Sequence, residues 1–234
     1  MKQKVAGVFL LVAIIIISTW GFNQYLEKQR YERYLSLQIA NNISTLISSV
    51  TGNQRIYNDI ISSNTISLEQ AETLYENNYS IVRITQDYQH LAIDLKRLDR
   101  DAVNNLPANN ASNIGHYYQL LIWDIAEKEG FDKQNRTPHF PYQLTHTSKF
   151  EVEQNEIKKI EMIRELNELW LTAIVDNVIG VVDNGDLNPD VYFDTYRDAI
   201  KSDYWVKLVT EMDSYTKEYL INNDHLNEIG TILY

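Results

Sequence analysis

The sequence predicts an all-α protein, in which one N-terminal transmembrane helix leads into an antiparallel bundle of about five helices. Three observations predict this fold class. An uncharged apolar segment lies near the N-terminus, apolar residues recur every three or four positions along the rest of the chain, and the 234 residues include only 8 glycines and 4 prolines. Because glycine and proline are scarce, there are few places where a helix has to end.

The apolar segment near the N-terminus has the composition of a membrane anchor. No charged residue lies between Lys4 and Glu27, and we expect residues 5–24 to form a transmembrane helix in contact with the lipid bilayer. Eighteen helical residues are roughly 27 Å long, close to the thickness of the hydrocarbon core. A cleaved signal peptide is the alternative, but bulky Trp20 and Phe22 stand where small residues would mark a cleavage site.

The charges beside this segment bear on its orientation. Lys2, Lys4 and the free amine favour a cytoplasmic N-terminus, although three further cations follow the segment closely. We expect residues 1–4 to form a short basic cytoplasmic tail, the apolar segment to act as a signal anchor, and residues 25–234 to form a helical extracytoplasmic domain. The protein would then be a single-pass membrane protein of the cell envelope.

Composition excludes several functional classes. The chain has 21 basic and 32 acidic residues, a net charge of −11, and an acidic chain repels the phosphate backbone of nucleic acids. Cysteine is absent, which excludes disulfides, thiolate zinc sites and cysteine nucleophiles. We therefore expect no nucleic-acid partner, while homo-oligomerisation stays open.

The most regular pattern in the sequence starts at Ser67, which has capping-box spacing to Gln70. Apolar residues then recur in a strict seven-residue repeat, which predicts one coiled-coil-like helix from Leu68 to about Asn105, ending before Pro107. The first row of this seam consists of Leu74, Ile81, Tyr88, Leu95 and Ala102, and the second row of Ile84, Leu91 and Leu98.

Weaker signals bound the neighbouring helices. The anchor helix is expected to continue past residue 24 and to be interrupted by Gly52 and Asn53. The polar residues 109–112 predict a loop, and a shorter helix should follow to Glu129 with Gly130 after its end.

The C-terminal part of the sequence predicts three more helices. Ser148 and Glu151 have capping-box spacing and should open a helix that runs to about Asn184. Pro189 suits the first turn of a short amphipathic helix, and the last helix should begin near Asp203.

Candidate chemistry in the sequence is sparse. Ser214 and Lys217 match S-x-x-K, but the companion motifs of penicillin-binding proteins are missing. Asp186, Asn188 and Asp190 have the first spacings of a calcium loop without its later glycine and glutamate. The five histidines include no pair at helical metal-ligand spacing. We therefore expect no catalytic residue, no metal site and no cofactor.

The stretch from Phe131 to Phe150 has an unusual composition, because it is basic and aromatic within an acidic domain. Long loops of this kind are commonly functional, and aromatic and arginine side chains are frequent anchors of interfaces. The candidate partner-binding residues are Lys133, Arg136, His139, Phe140, Tyr142 and Lys149. The alternative is a structural connection in which Phe140 and Tyr142 close one end of the bundle.

These observations favour a non-catalytic, membrane-anchored helical protein that mediates a protein–protein interaction in the cell envelope. The alternative is a sensory bundle that binds a small ligand between its helices. An enzyme of unrecognised type is a third hypothesis.

Overall fold

The computed structural model of the protein describes residues 2–128, 149–223 and 228–233, with side chains from Leu11 onward except those of Ala13 and Lys128. This part of the chain is almost entirely helical, which confirms the all-α part of the predicted fold class. Two three-residue strands complete the secondary structure. The elements are α1 (Lys2–Ser63), β1 (Thr65–Ser67), α2 (Leu68–Asp94), α3 (Leu106–Lys128), β2 (Lys149–Glu151), α4 (Gln154–Asn177), α5 (Pro189–Thr195), α6 (Tyr204–Asn222) and α7 (Gly230–Leu233), with 3₁₀ turns at Arg100–Ala102 and Ala199–Lys201.

Helix α1 is continuous over 62 residues, or roughly 93 Å. The predicted interruption at Gly52 and Asn53 is therefore wrong. A Cβ atom on Gly52 would lie 3.3 Å from Nδ2 of Asn77 in α2, so the glycine allows the two helices a close approach. Asn53 is fully buried and accepts a hydrogen bond of 2.9 Å from Asn77. Both residues serve helix packing and do not end the helix.

The helices pack as an antiparallel bundle. Helix α2 runs back along α1, since Asn77 meets Asn53 and Tyr88 donates a 3.1 Å hydrogen bond to the carbonyl of Gln38. Helix α3 packs on α2, helix α4 packs on α1, and α6 packs on α4. The core between these helices contains side chains with almost no exposure, among them Ile43, Leu46, Leu74, Ile81, Ile114, Tyr118, Ile163, Trp170, Trp205 and Met212.

The bundle has two ends, which we call proximal and distal. At the proximal end the emerging α1 lies beside the 3₁₀ turn before α6, where the amide of Ile200 donates a 3.2 Å hydrogen bond to the Ser36 hydroxyl. At the distal end strands β1 and β2 pair antiparallel, with Ile66 opposite Phe150. We call residues 2–34 of α1, which precede the buried part of that helix, the arm.

Helix α2 ends at Asp94, eleven residues before the predicted end. The amide of Lys96 bonds to the carbonyl of Ile93 and the amide of Arg97 to that of Ala92, which is the hydrogen-bond pattern of a Schellman motif. Lys96 takes the left-handed conformation, with φ of 57°, at the position where glycine is usual. The seven-residue repeat therefore continues in the sequence beyond the end of the helix that it predicted.

The early end of α2 also changes the predicted seam. Leu74, Ile81, Ile84 and Tyr88 are buried as predicted. Leu91 and Leu98 are partly buried against the core, whereas Leu95 and Ala102 are exposed.

Helix α3 begins at Leu106, so the predicted loop at residues 109–112 is wrong. Pro107 lies in its first turn, where a proline costs no helical hydrogen bond. The buried carboxylate of Asp213 in α6 accepts hydrogen bonds from the amides of Asn104 and Leu106, the latter at 2.9 Å. A side chain more than a hundred residues away thus satisfies backbone donors where the helix starts.

Helix α4 is shorter at both ends than predicted. Glu151 belongs to β2 instead of a capping box, Ser148 lies outside the described residues, and the helix starts at Gln154. It ends at Asn177, and Gly180 follows with a φ of 95°. The predicted starts of α5 at Pro189 and of α6 next to Asp203 are confirmed.

The predicted membrane span lies wholly within α1. Within the part of the chain that the structure describes, however, none of the helices has both the length and the apolar character that a membrane span needs. The spanning role predicted for residues 5–24 is therefore not supported there.

Candidate functional site

The described side chains of the arm leave a large apolar surface exposed. Trp20 is 66% exposed and Ile17 is 66% exposed, and a Cβ atom added at Gly21 would meet nothing within 4 Å. Large contiguous apolar surfaces are rare on soluble monomers and usually mark contact with lipid or another protein. The exposed apolar residues of the arm are Leu11, Val12, Ile14, Ile15, Ile16, Ile17, Trp20, Phe22, Tyr25, Tyr31 and Tyr34.

A groove lies where the arm enters the bundle, between α1 and the segment that follows α5. We call it the proximal groove, and its volume is about 660 Å³. Its apolar wall includes Leu26, Leu37 and Phe193, of which Phe193 is 38% exposed. Its charged residues are Arg30, Glu32, Arg33, Arg197, Asp198 and Lys201.

The proximal groove is positively charged although the protein is acidic. Its lining contains four cations and two acids, whereas the whole chain carries a net charge of −11. Asp194, just outside the lining, pairs with Arg197, so the net positive charge comes mainly from Arg30 and Arg33. Lys201 lies 3.3 Å from Glu32 and 3.5 Å from Asp198, and the hydrogen bond that its ammonium donates to the Glu32 carboxylate raises the pKa of Lys201. Arg30 and Arg33 form no ion pair with any residue that the structure describes, so their charge is not neutralised locally.

A cluster of tyrosines fixes the far wall of the proximal groove. The Tyr192 hydroxyl donates a 2.9 Å hydrogen bond to the carbonyl of Ala40 and lies 3.2 Å from the hydroxyl of Tyr204. The ring of Tyr196 stacks on that of Tyr204 with centroids 3.7 Å apart, and its hydroxyl accepts from the Ile179 amide. Burial raises the pKa of Tyr192 and of Tyr204, so both stay neutral phenols. Helix α5 is thereby held firmly on α1 and α6.

A second cavity, the distal pocket, lies between α3, α4 and β2 and has a volume of about 340 Å³. The Tyr117 hydroxyl donates a 2.6 Å hydrogen bond to Glu156, and Lys159 lies 3.0 Å from the same carboxylate. Lys159 also donates to the carbonyl of Leu233. Because Lys159 is paired with Glu156, and Asp124 is among the further acids lining the pocket, the distal pocket is acidic overall.

Most of the sequence-predicted partner-binding residues lie outside the described part of the chain, namely Lys133, Arg136, His139, Phe140 and Tyr142. The remaining one, Lys149, is exposed in β2, opposite Ser67. Its neighbour Phe150 is partly buried and lines the distal pocket. The predicted docking surface therefore stays a prediction.

The other sequence motifs do not assemble a reactive site. Ser214 and Lys217 are both exposed on α6. Hydrogen bonds from Asn184 and Arg55 lower the pKa of the Asp186 carboxyl. Asn188 caps α5. Among the described residues no cluster of histidine, aspartate or glutamate is arranged to hold a metal ion.

Sequence reasoning missed the proximal groove. Its cations come from two segments, around residues 30–33 and 197–201, that only the folded chain brings together. The one local signal is the group of cations that follows the apolar segment, and by itself this group bears only on the orientation of the arm.

The fold and its surfaces thus define an all-helical bundle whose first helix extends beyond the core with exposed apolar side chains. No protein-family model, no curated protein and no solved structure shows a significant match to the chain. Its function is therefore argued from its own residues.

Proposed function

We propose that this chain is a non-catalytic, single-pass membrane protein whose bundle mediates a protein–protein interaction in the cell envelope. In this proposal residues 5–24 cross the bilayer and the N-terminus is cytoplasmic. One observation carries it, namely the change of environment along α1, whose large apolar side chains from Leu11 to Phe22 are exposed, whereas those from Ile39 onward contribute to the core. The uncharged sequence around the exposed part favours lipid as its cover.

The continuity of α1 would give such an anchor a mechanical consequence. Residues 24–36 contain neither glycine nor proline, so a stiff helix of roughly 18 Å would join the membrane to the bundle. The distal end, near Ser63, would stand roughly 58 Å from the edge of the hydrocarbon core. An interaction surface there could reach a partner well outside the bilayer.

The predicted basic aromatic loop is the best candidate for that surface. Its two described flanks, the end of α3 and the start of β2, both lie at the distal end. A basic loop on an acidic domain is suited to steer an acidic partner, because charge contrast acts mainly on the rate of encounter.

The anchor is tested by alkaline carbonate extraction of membranes and N-terminal sequencing of the mature protein. We expect the intact chain to stay in the membrane pellet. Replacing Ile15 and Ile16 with Lys should release it, because a lysine at the middle of a span costs about 2.5–3.5 kcal/mol. The matched control replaces Ile179 and Val182, which are exposed on the bundle, with Lys and should stay in the pellet. Release of the wild type, or a mature start beyond Gly21, would refute the anchor.

The docking role is tested by cross-linking in native membranes. Removing three loop cations should weaken partner capture, added salt should have the same effect, and thermal stability should hardly change because exposed charges contribute little to folding. The test variant carries Lys133→Gln, Arg136→Gln and Lys149→Gln, and the control carries Arg83→Gln, Lys158→Gln and Lys207→Gln. Unchanged capture by the test variant would leave the loop a structural connection.

A second loop variant separates docking from structural plugging. If Phe140 closes the bundle end, Phe140→Ala should destabilise the domain by about 3 kcal/mol or more. If Phe140 contacts a partner, the same substitution should leave the fold intact and abolish capture.

The distal pocket favours a second candidate function, the binding of a small cationic or hydrogen-bonding ligand. Its acids and the Tyr117–Glu156 hydrogen bond offer polar contacts beside an apolar wall that includes Leu121. Ligand-detected NMR with a set of small amines tests this function. Binding that is lost in Leu121→Trp, which fills the pocket, would support it, whereas equal signals in both proteins would refute it.

A further inference from the structure

The proximal groove would lie at the membrane surface if the arm is an anchor, so the inference that follows rests on the proposed function. Arg30 and Arg33 stand six and nine residues beyond the end of the predicted span. At 1.5 Å per helical residue, these positions are roughly 9 and 14 Å from the hydrocarbon edge. The polar headgroup layer is roughly 5–7 Å thick on each side, and charges act over about 8–10 Å in physiological salt.

The folded chain adds two further cations at this level. Lys201 reaches Glu32 at 3.3 Å, which places the 3₁₀ turn after α5 beside the same turn of α1 as the arginines. Arg197 lines the same groove, and its ion pair with Asp194 at 2.8 Å is exposed on both sides. The cations therefore face one groove from two elements.

The chemistry of the groove suits a phosphate ester with an apolar end. A guanidinium binds phosphate oxygens through two parallel N–H donors, and Arg30 and Arg33 need not break an ion pair with any described residue to do so. Leu37 is 51% exposed and forms part of the groove wall beside Phe193, so apolar surface lies next to the charges.

We propose that the proximal groove binds the phosphodiester headgroup of an anionic membrane lipid. The bundle is acidic, and an anionic bilayer would repel it wherever its acidic surface came close. The positively charged proximal groove, at the base of the bundle, would instead attract the anionic bilayer. Binding there would fix how the bundle is rotated and tilted on its anchor.

The test uses the full chain in lipid nanodiscs, made either of phosphatidylcholine alone or of phosphatidylcholine with phosphatidylglycerol. Spin-labelled phosphatidylglycerol and phosphatidylcholine report the relative affinity of the protein for the anionic lipid. The test variant is Arg30→Gln with Arg33→Gln. The control is Arg83→Gln with Lys158→Gln, which removes the same charge from exposed positions on α2 and α4.

We expect the wild type and the control to prefer phosphatidylglycerol over phosphatidylcholine. In the test variant the relative affinity for phosphatidylglycerol should be about tenfold lower, because each basic residue near a membrane surface contributes to the binding of anionic lipid. An equal preference in all three proteins would overturn the groove proposal while leaving the anchor intact. Failure of the wild type to stay in the disc would instead overturn the anchor and the groove together.

A further arm distinguishes a lipid headgroup from a soluble phosphate. Inorganic phosphate is added to the wild type in discs of phosphatidylcholine alone, and the unfolding temperature of the bundle is compared with that in phosphatidylglycerol discs. Stabilisation by phosphatidylglycerol alone supports the proposal. Equal stabilisation by both would overturn it and make the groove a site for a soluble anion.

Discussion

The arm and the buried half of α1 belong to one helix and are both rich in isoleucine, yet their side chains have opposite environments. Ile16 is 62% exposed, whereas Ile43 has no exposed surface. Four successive isoleucines at positions 14–17 point to all sides of a helix, since each residue is turned by about 100° from the last. The apolar character of residues 5–17 in the arm is therefore uniform around the helix, while that of the buried half of α1 forms one stripe.

Buried polar groups show the same contrast. The second half of α1 places Thr51 and Asn53 inside the bundle, where Thr51 donates to the carbonyl of Gly185 and Asn53 accepts from Asn77. Between Val5 and Ile17 the arm contains no residue able to make a side-chain hydrogen bond. A helix that fits a protein core has apolar residues along one side and polar side chains that make specific contacts, and residues 5–17 of the arm have neither.

The largest expected effect on stability is in the buried half of α1. Ile43→Ala should reduce the free energy of unfolding by about 2–5 kcal/mol, because it leaves a cavity in the centre of the bundle. The measurement is urea unfolding of the full chain in a mild detergent, followed by circular dichroism. A loss below about 0.5 kcal/mol would mean that the stripe is not core.

A pair of glycines gives the next contrast. A Cβ atom at Gly185 would lie 2.4 Å from Oγ1 of Thr51, and its φ is 82°, so Gly185→Ala should destabilise the bundle by about 1–3 kcal/mol. Gly21 has open space around it in the arm. Gly21→Ala should leave bundle unfolding unchanged and strengthen only the local helix, by roughly 0.5–1 kcal/mol. Equal unfolding midpoints for the two variants would contradict the contrast.

The pH dependence of stability probes a contact of the buried half. Burial raises the pKa of Tyr88, which donates to the Gln38 carbonyl, to about 12. Since a tyrosine in the unfolded chain ionises near pH 10, this contribution is complete below about pH 10 and is lost as the pH rises towards about 12. Urea midpoints measured across that range should fall less steeply in Tyr88→Phe than in the wild type. Parallel slopes would show that Tyr88 is not buried as a neutral phenol.

Apolar spacing was sufficient to predict the helices that are buried on one side. Ile160, Ile163, Leu166 and Trp170 recur every three or four residues and are all buried in α4. The predicted capping box of Ser67 and Gln70 is confirmed, since both of its hydrogen bonds are present. It was predictable because the two residues are only three positions apart in the sequence. Local signals of this kind can be read from the sequence because their physical cause is local.

The end of α2 could not be predicted because its cause is not local. Arg97 donates a 3.0 Å hydrogen bond to the carbonyl of Ser202 and lies over the ring of Trp205, so the chain after the helix is held by α6. Those contacts offset the free-energy cost of the left-handed backbone conformation at Lys96. Lysine has no preference for that conformation, so the sequence alone does not indicate a helix end there. The proximal groove was missed for the same reason, since Arg33 and Lys201 are brought together only by the fold.

The smallest effect on stability is expected for a substitution in the arm. It can be compared directly with Ile43→Ala in the buried half of the same helix. Ile16→Ala removes the same atoms as Ile43→Ala from the same helix, but the Ile16 side chain is exposed, so its truncation leaves no cavity in the bundle. Its effect on bundle unfolding should stay within about 0.5 kcal/mol, as for other exposed positions. The variant should also stay in the membrane pellet, because alanine is tolerated in a span where lysine is not. A loss comparable to that of Ile43→Ala would mean that the arm packs on protein, either another copy or a partner, and the lipid-facing role proposed for it would then be wrong.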